Sequence, residues 1–567
     1  MAVGVEAELL DLIGVLLLGG VVGVVVARIG RFPYTIALLL AGLAASVLGI
    51  EFGIELSHDI ILLVLLPPLL FEGAATTDLE EFRTNLPVIL TLAVPGLILS
   101  VTVLGFLGSY AFGFPLLVAM LFAAMILPTD PVSVLALFDE VGAPERLSTL
   151  VEGESLINDG VGVVVFSSLL GLVTSGVDSN ALFDPATLGD VVLEFLVSSA
   201  GGVLVGLAAG YAVYRVMVNL DEHMTEIVLT AILAYGSFLL AEHYLHVSGV
   251  IATVVAGLFI GNRGAEYAMS PQTKISIFNT WETAAFIVNT FIFVAIGVQT
   301  PVDRLLAHGR LILIAIVLVI LARAVAVYPM SALANRFIHT EVSFDYQHVM
   351  VWGGLHASIP IALVLGLPQT VQGGAPFPFR EELRAMVFGV AAFSLVVQGF
   401  SIGWLLDKLD VVTRSHAGEL YELLVGRVRA VDAGLEAADE LREKRQISPS
   451  VYEDFTEEYE REREDLNEAI QELHATHPEI RRKELLTGER QLLQREKSAV
   501  MDAVRTGTVS DEVGEQLLEE VNIKLDRVSS GESTVGGREE EAYEEFWRHR
   551  AAEFDVHSAE LDETKQD

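Results

Sequence analysis

Residues 148–173 read STLVEGESLINDGVGVVVFSSLLGLV. The stretch is long and apolar enough to cross the ~30 Å hydrocarbon core of a bilayer, for which about 20 residues suffice. In that environment a single segment satisfies its own backbone hydrogen bonds only as a helix. Yet this one carries Glu152, Glu154, Ser155, Asn158 and Asp159. Asp159 stands about 11 residues in, which at about 1.5 Å per residue is roughly 16 Å deep, close to the midplane. An ionisable group at that depth is costly and by default marks an ion or substrate path. Both fold and function follow from that conflict.

Twelve further apolar stretches surround it, at roughly 8–27, 34–50, 57–75, 86–108, 115–138, 188–217, 225–245, 249–261, 278–300, 309–335, 347–368 and 385–406, of which 249–261 is short and reads as tilted or partly buried. The expected fold is therefore an all-α membrane protein of about thirteen transmembrane helices. An odd number puts the termini on opposite sides. With the N-terminus outside, the inner loops hold Arg28, Arg31, Arg83, Arg146, Arg215, Arg263, Lys274 and Arg336, with Lys408 and Arg414 after the last span. The outer loops then hold only Arg304, Arg310, Arg380 and Arg384. Basic loop residues favour the inner side, so the C-terminal tail is expected in the cytoplasm. The first apolar run lacks a basic leader and a small-residue cleavage site, and reads as a retained helix.

The membrane part, 1–410, has 14 basic against 34 acidic residues, and 411–567 has 21 against 40, together the 35 and 74 of the whole chain. With only 7 Lys against 28 Arg and a net charge of −39, the chain lacks the basic footprint of nucleic-acid binding. Excess carboxylate with scarce Lys reads as adaptation to high salt, hence a halophile. The absence of cysteine excludes disulfides, thiolate chemistry and Cys-ligated metals. The tail shows helical periodicity in four pieces, about 415–446, 449–474, 478–506 and 510–529, with breaks at Ser448-Pro449, His477-Pro478 and Gly507. It reads as an acidic helical domain over 411–529, either a solvated appendage or a regulatory or dimer-stabilising unit. The Ser/Gly/Glu-rich stretch 530–567 reads as disordered.

Three more ionisable groups stand out within spans: Glu72, Asp130 and Arg323. On a helix Ser155 and Asp159 share one face, and Glu154 and Asn158 share another. A carboxylate among hydroxyl and amide oxygens suits a hard cation. Held partly out of water, Asp159 can carry either a proton or a cation but not both, and that competition is sufficient for antiport. Arg323 needs a buried partner, for which Glu154 is preferred, a direct cation-ligand role for Glu154 being the alternative. Two spans contain helix breakers at their centres: Leu127-Pro128-Thr129-Asp130-Pro131, and Gly353-Gly354-Leu355-His356-Ala357-Ser358-Ile359-Pro360. Interrupted helices in corresponding positions point to a midplane site and to two inverted six-helix repeats, with the seventh span as connector. Asp130 would compensate the positive ends of the half-helices, and Thr129 could offer the cation an oxygen. His356 reads as a second dipole-compensating group, a pH-sensitive group or a satisfied core histidine. Glu72, after Leu66-Pro67-Pro68-Leu69-Leu70-Phe71, either faces the cavity and attracts cations or meets water at the inner interface.

Together these residues resemble the NhaP/NHE branch of the monovalent cation:proton antiporters. The match is carried by Leu66 to Glu72, Pro128-Thr129-Asp130-Pro131-Val132-Ser133-Val134-Leu135, Val151 to Gly160, Ala322-Arg323 and Trp352-Gly353-Gly354-Leu355. The resemblance implies a thirteen-helix fold with a dimer-forming domain and a moving core, and hence a homodimer working by elevator-type alternating access. It implies that Asp159 carries Na⁺, with Asn158, Ser155, Thr129 and Glu72 nearby, and that Glu154 pairs with Arg323. Asn158 beside Asp159 looks like the electroneutral one-for-one exchangers, whose electrogenic relatives have a second aspartate there. One departure stands out: the family pattern has Arg-Gly after Gly-Gly-Leu, where this chain has His356-Ala357.

The expected function is thus Na⁺/H⁺ antiport in a prokaryotic plasma membrane, with no cofactor. The alternative is K⁺/H⁺ or broad monovalent cation exchange, with Li⁺ also a candidate. A channel would need a continuous polar path, whereas these polar groups cluster at one depth. A hydrolase on Ser155, His356 and Asp159 is disfavoured, because Ser155 and Asp159 on one helix face leave no room to order a base between them. A sensor that only binds through its tail would not need Asp159.

Overall fold

The computed structural model describes residues 2–29, 33–48, 60–131, 134–136, 138, 142–177, 184–218, 220, 222–300, 302–338, 340–356, 358–372, 374–411, 416–529, 531 and 533. Val132, Ser133, Ala357 and nearly all of 530–567, the stretch expected to be disordered, lie outside the described residues. The chain divides into two compact units, Met1–Thr413 and Arg414–Asp567. Among the described residues the regular elements are all helices, and one isolated bridge joins Thr370 to Pro376 in a loop.

The first unit runs through α1 (Ala2–Ile29), α2 (Tyr34–Val47), α3 (Ile60–Thr76), α4 (Leu79–Phe112), α5 (Leu116–Ile126), α6 (Glu145–Thr174), α7 (Pro185–Met217), α8 (His223–Tyr244) and α9 (Gly249–Phe259). It continues with α10 (Pro271–Gln299), α11 (Val302–Ala307), α12 (Gly309–Ala334), α13 (Phe344–Trp352), α14 (Ser358–Leu365) and α15 (Arg380–Lys408). Among the described residues seven helices are long and apolar enough to cross a membrane, those of α4, α6, α7, α8, α10, α12 and α15. The other six stretches read from the sequence fall on α1, α2, α3, α5, α9 and the α13–α14 pair. The ninth, read as ending near 261, carries on helically to Tyr267 through a π-turn at Ile260–Gly264. Further π-turns lie at Leu92–Gly96, where Pro95 removes an amide donor, and at Ser394–Gln398.

Burial sorts these helices. In α5 nearly every side chain is enclosed, from Leu117 to Ile126. Its sequence, LLVAMLFAAMI, is apolar all round, as a helix with no wet or lipid face should be. At the other extreme α7 leaves Leu193, Leu196, Val197 and Leu204 exposed, the surface of a helix that meets lipid or another chain. The helix α6 crosses the core beside α5, and its small residues set how close neighbours come. A Cβ on Gly162 would fall 2.4 Å from Cγ of Pro128, so only glycine lets the α5 terminus pass there.

The second unit is built from α16 (His416–Glu443), α17 (Pro449–Thr476), α18 (Pro478–Arg505) and α19 (Asp511–Ser529). Pro449 and Pro478 occupy first turns, where a missing N–H costs nothing, and Gly507 takes the left-handed conformation after α18. Leu424, Leu473 and Ile480 form one small core, and Leu493, Val521 and Val528 another.

Gly162→Ala is expected to lower the melting temperature in detergent by several degrees, since overpacking costs roughly 1–3 kcal/mol. Gly171, on the same helix with nothing within 4 Å of its Cβ position, should tolerate Ala with no loss. Equal melting temperatures for the two variants would remove the close approach as a constraint.

Candidate cation site

After Ile126 the helix stops: Leu127 to Pro131 are non-helical, and a helical turn resumes at 134–136. Pro128 and Pro131 lack amide donors, which prevents the helix from continuing. Helix α13 stops at Trp352, and Gly353 to His356 lie outside regular structure before α14 begins at Ser358. In the core of the unit these loose ends have no water to bond, so they must find one another. They do: Asp130 N donates to Leu355 O at 2.7 Å. His356 Nδ1 lies 3.1 Å from Pro128 O. A carbonyl only accepts, so that ring nitrogen carries the hydrogen. Ser358 Oγ donates to Asp130 Oδ2 at 3.3 Å, which sets a carboxylate at the first residue of α14.

Helix α6 faces this crossing with two rows of side chains. In one, Ser155 Oγ donates to Thr129 O, tying α6 to the first break. Asp159, one turn on, is buried, and Asp130 is the charge that bears on it. In the other row Glu154 forms a two-pronged ion pair with Arg323 of α12, in which Nη2 lies 2.8 Å from Oε2 and Nη1 contacts Oε1. Arg323 also donates from Nη2 and Nε to Met350 O, at 3.2 and 3.4 Å. Glu154 is 2% exposed and Arg323 8%, so each charge is compensated where water is scarce. A Cβ on Gly354 would lie 2.9 Å from Arg323 Nε and 3.4 Å from Thr129 Cγ2, so glycine is required where the second break passes between the two.

Asn158 precedes Asp159 and therefore points about 100° away from it around the helix. It lines a cavity of about 10 Å³ together with Glu154, Arg323, Leu92, Gly96 and Ser100. Asn158 Oδ1 and Asp159 Oδ1 are buried oxygens with no hydrogen-bond partner among the described residues. Unsatisfied buried acceptors are rare and costly, and oxygen acceptors without donors are what a hard cation binds.

The structure thus brings Thr129, Asp130, Glu154, Ser155, Asn158, Asp159, Arg323 and His356 to one place, where α6 meets the two breaks. Glu72 of α3 keeps different company. The charges that bear on it are Glu152 and Glu282, and Thr77 Oγ1 donates to Glu152 Oε1 at 3.1 Å. Sequence reasoning missed Ser358 and the carbonyls of Pro128, Thr129 and Met350. A hydroxyl at the start of a half-helix is a readable signal for Ser358. The carbonyls, which every residue has, leave none.

Removing Arg323 leaves Glu154 charged and Met350 O unpaired. Arg323→Ala is expected to destabilise the protein by about 3–5 kcal/mol, with partial rescue in the Arg323→Ala/Glu154→Gln double variant. A double-mutant cycle of detergent unfolding that returns additive effects would reject the pair as a coupled unit.

Three comparisons with known proteins bear on this geometry. The family model described as sodium/hydrogen exchanger, transmembrane, matches residues 13–408. The Na⁺/H⁺ antiporter NhaG of Bacillus atrophaeus is 34% identical over 499 residues, covering 86% of this chain and 92% of that protein. The low-affinity Na⁺/H⁺ antiporter NhaS1 of Synechocystis sp. is 38% identical over 417 residues, 72% and 76% of the two chains. In fold, the chain is similar to the sodium proton antiporter MjNhaP1 from Methanocaldococcus jannaschii, with a TM-score of 0.58 at 21% identity, over 71% of this chain and 99% of that one.

Proposed function

The chain belongs to the sodium/hydrogen exchanger family, and from that premise we propose that it exchanges Na⁺ for H⁺ across a prokaryotic plasma membrane at Asp159. The observation that carries this reading is the pair of buried oxygens on Asn158 and Asp159 that have no hydrogen-bond partner among the described residues, beside two breaks whose backbones bond to each other. Ser155 Oγ spends its proton on Thr129 O and keeps its lone pairs free, so it can accept a cation without giving up that bond. Asp159 supplies the charge. Ser155, Asn158 and Thr129 supply neutral oxygens, and Glu72, with Glu152 near it, draws cations from the inner side.

The cycle follows from occupancy. With Na⁺ bound, the Asp159 carboxylate is neutralised by the metal; with H⁺ bound, by the proton. Either neutral form can cross, and the bare carboxylate is held back by the cost of moving a charge through low dielectric. One carboxylate carrying one charge at a time gives one-for-one, electroneutral exchange, since Asn158 adds a dipole but no titratable group. Asp130 and His356 serve the ends of the broken helices, and Glu154–Arg323 holds them in register.

The same reading takes thirteen spans in two inverted repeats, with the interrupted helices crossing at the midplane. The N-terminus is then outside and the tail cytoplasmic. A homodimer is proposed to anchor the lipid-facing scaffold while the core moves as an elevator. A K⁺/H⁺ exchanger would share all of this geometry; a ligand set of one carboxylate and a few small neutral oxygens favours the smaller cation.

In proteoliposomes, Asp159→Asn is expected to abolish Na⁺-driven proton movement while the protein remains folded. For the parent protein, proton flux should be supported by Na⁺ and Li⁺ above K⁺ and be indifferent to a clamped membrane potential. Normal exchange in Asp159→Asn would overturn the carrier assignment. A rate that follows the clamped potential would overturn electroneutrality.

A further inference from the structure

The two breaks satisfy part of each other's backbone, but not all. Further groups of the second break are met from α15, at the point where that helix changes its winding. Over Ser394–Gln398 the hydrogen bonds run i→i+5, so residues 394 and 398 lie close to one turn apart and face the same way. That face is turned to Trp352 and His356. His356 N donates to Ser394 Oγ at 3.0 Å, and Ser394 Oγ lies 3.0 Å from His356 O. Gln398 Nε2 donates to Trp352 O at 3.0 Å. Both side chains are enclosed, at 0% and 3% exposure, where an unbonded polar group would be costly.

From Ser394 and Gln398 a run of bonds reaches the ion-binding face of α6. They grip the peptides at 352 and 356; the His356 ring grips Pro128 O; Leu355 O holds Asp130 N; and Thr129 O takes the Ser155 hydroxyl. We infer that Ser394 and Gln398 are positioning residues of the cation site, acting through the backbone of 352–356 to fix where Thr129 and Ser155 stand; this rests on the assignment of Asp159 as carrier. Neither touches the ion. The Ser394 hydroxyl has a single hydrogen and two acceptors in reach, His356 O at 3.0 Å and Ala391 O of its own helix at 3.1 Å. It can therefore release the His356 carbonyl and still keep its hydrogen bonded. That suits a contact that must hold the break in place and yet let it adjust as the site empties and fills.

Ser394→Ala removes both bonds without adding bulk, and Ser394→Thr keeps the hydroxyl. In proteoliposomes Ser394→Ala is expected to raise the half-saturating Na⁺ concentration about tenfold while leaving the maximal rate within about twofold, the size of effect that one or two lost buried hydrogen bonds produce in a ligand site. Gln398→Leu should shift it in the same direction. Ser394→Thr should stay within about threefold of the parent, because the bond and not the volume is what counts. Hydrogen–deuterium exchange on the same purified proteins supplies a readout independent of transport: Ser394→Ala should speed exchange at 352–358 and leave 148–165 unchanged. An unaltered half-saturation in Ser394→Ala, or equal impairment of the Ala and Thr variants, would overturn the positioning role. Full exchange activity in Asp159→Asn would instead strike the carrier assignment, and the exchange data at 352–358 would still report on the contact by itself.

Discussion

An arginine in the middle of a membrane cannot escape its charge. Its guanidinium stays protonated under any condition the cell meets, and burying it without a partner costs several kcal/mol. Arg323 therefore dictates much of what surrounds it. Glu154 must come close enough to accept two hydrogen bonds, which sets α6 against α12. Met350 O must sit at the end of α13 to take two of the remaining donors. Gly354 must lack a side chain so that the second break can slip past. Once Glu154 is pinned, the next residue along α6 is turned toward Thr129, and the residue a turn later is Asp159. The position of the carboxylate proposed to carry the ion is thus inherited from the Glu154–Arg323 pair.

The second constraint is the backbone. Breaking a helix in lipid leaves amides and carbonyls that cost several kcal/mol apiece if unmet. Two breaks placed side by side solve part of this for each other, as the bond from Asp130 N to Leu355 O does directly. Side chains solve the rest: His356 for Pro128 O, Ser155 for Thr129 O, and the π-turn of α15 for 352 and 356. The consequence is that the site has few slack bonds. Two buried oxygens, on Asn158 and Asp159, are left without a hydrogen-bond partner among the described residues.

Much of this was legible in the sequence, for definite reasons. Charges in apolar stretches and prolines at the centre of a span violate strong rules, so Asp159, Asp130, Arg323 and the two breaks announce themselves. The i,i+4 spacing separates the Ser155–Asp159 row from the Glu154–Asn158 row before any coordinates exist. What was hidden has no side-chain signature or depends on winding. The π-turns at 92–96, 260–264 and 394–398 shift the register of everything downstream by part of a turn, and only the first contains a proline that hints at it. Ser394 and Gln398 look like ordinary polar residues on an apolar helix; their i,i+4 spacing puts them on one face without saying what that face meets. Glu72 shows the converse limit. Its depth in a span is readable, but whether it faces the ion site or the acidic group with Glu152 and Glu282 depends on packing between α3, α6 and α10.

The departure at position 356 can be argued from the same bonds. The resemblance to the NhaP/NHE branch implies arginine there, and this chain has histidine. The task at that position, as the geometry defines it, is to donate one hydrogen bond to Pro128 O. A neutral imidazole with its hydrogen on Nδ1 does this as well as a cation. A permanent positive charge would do it in the electrostatic reach of Arg323, whose carboxylate partner Glu154 is already fully engaged. Two fixed cations sharing one buried anion would need a further carboxylate to balance them, and the nearest are Asp130 and Asp159. Histidine lifts that demand. It leaves Asp130 to the first residue of α14, so in this chain the charge balance around the pair closes without drawing on Asp159, the carboxylate proposed to exchange its ion.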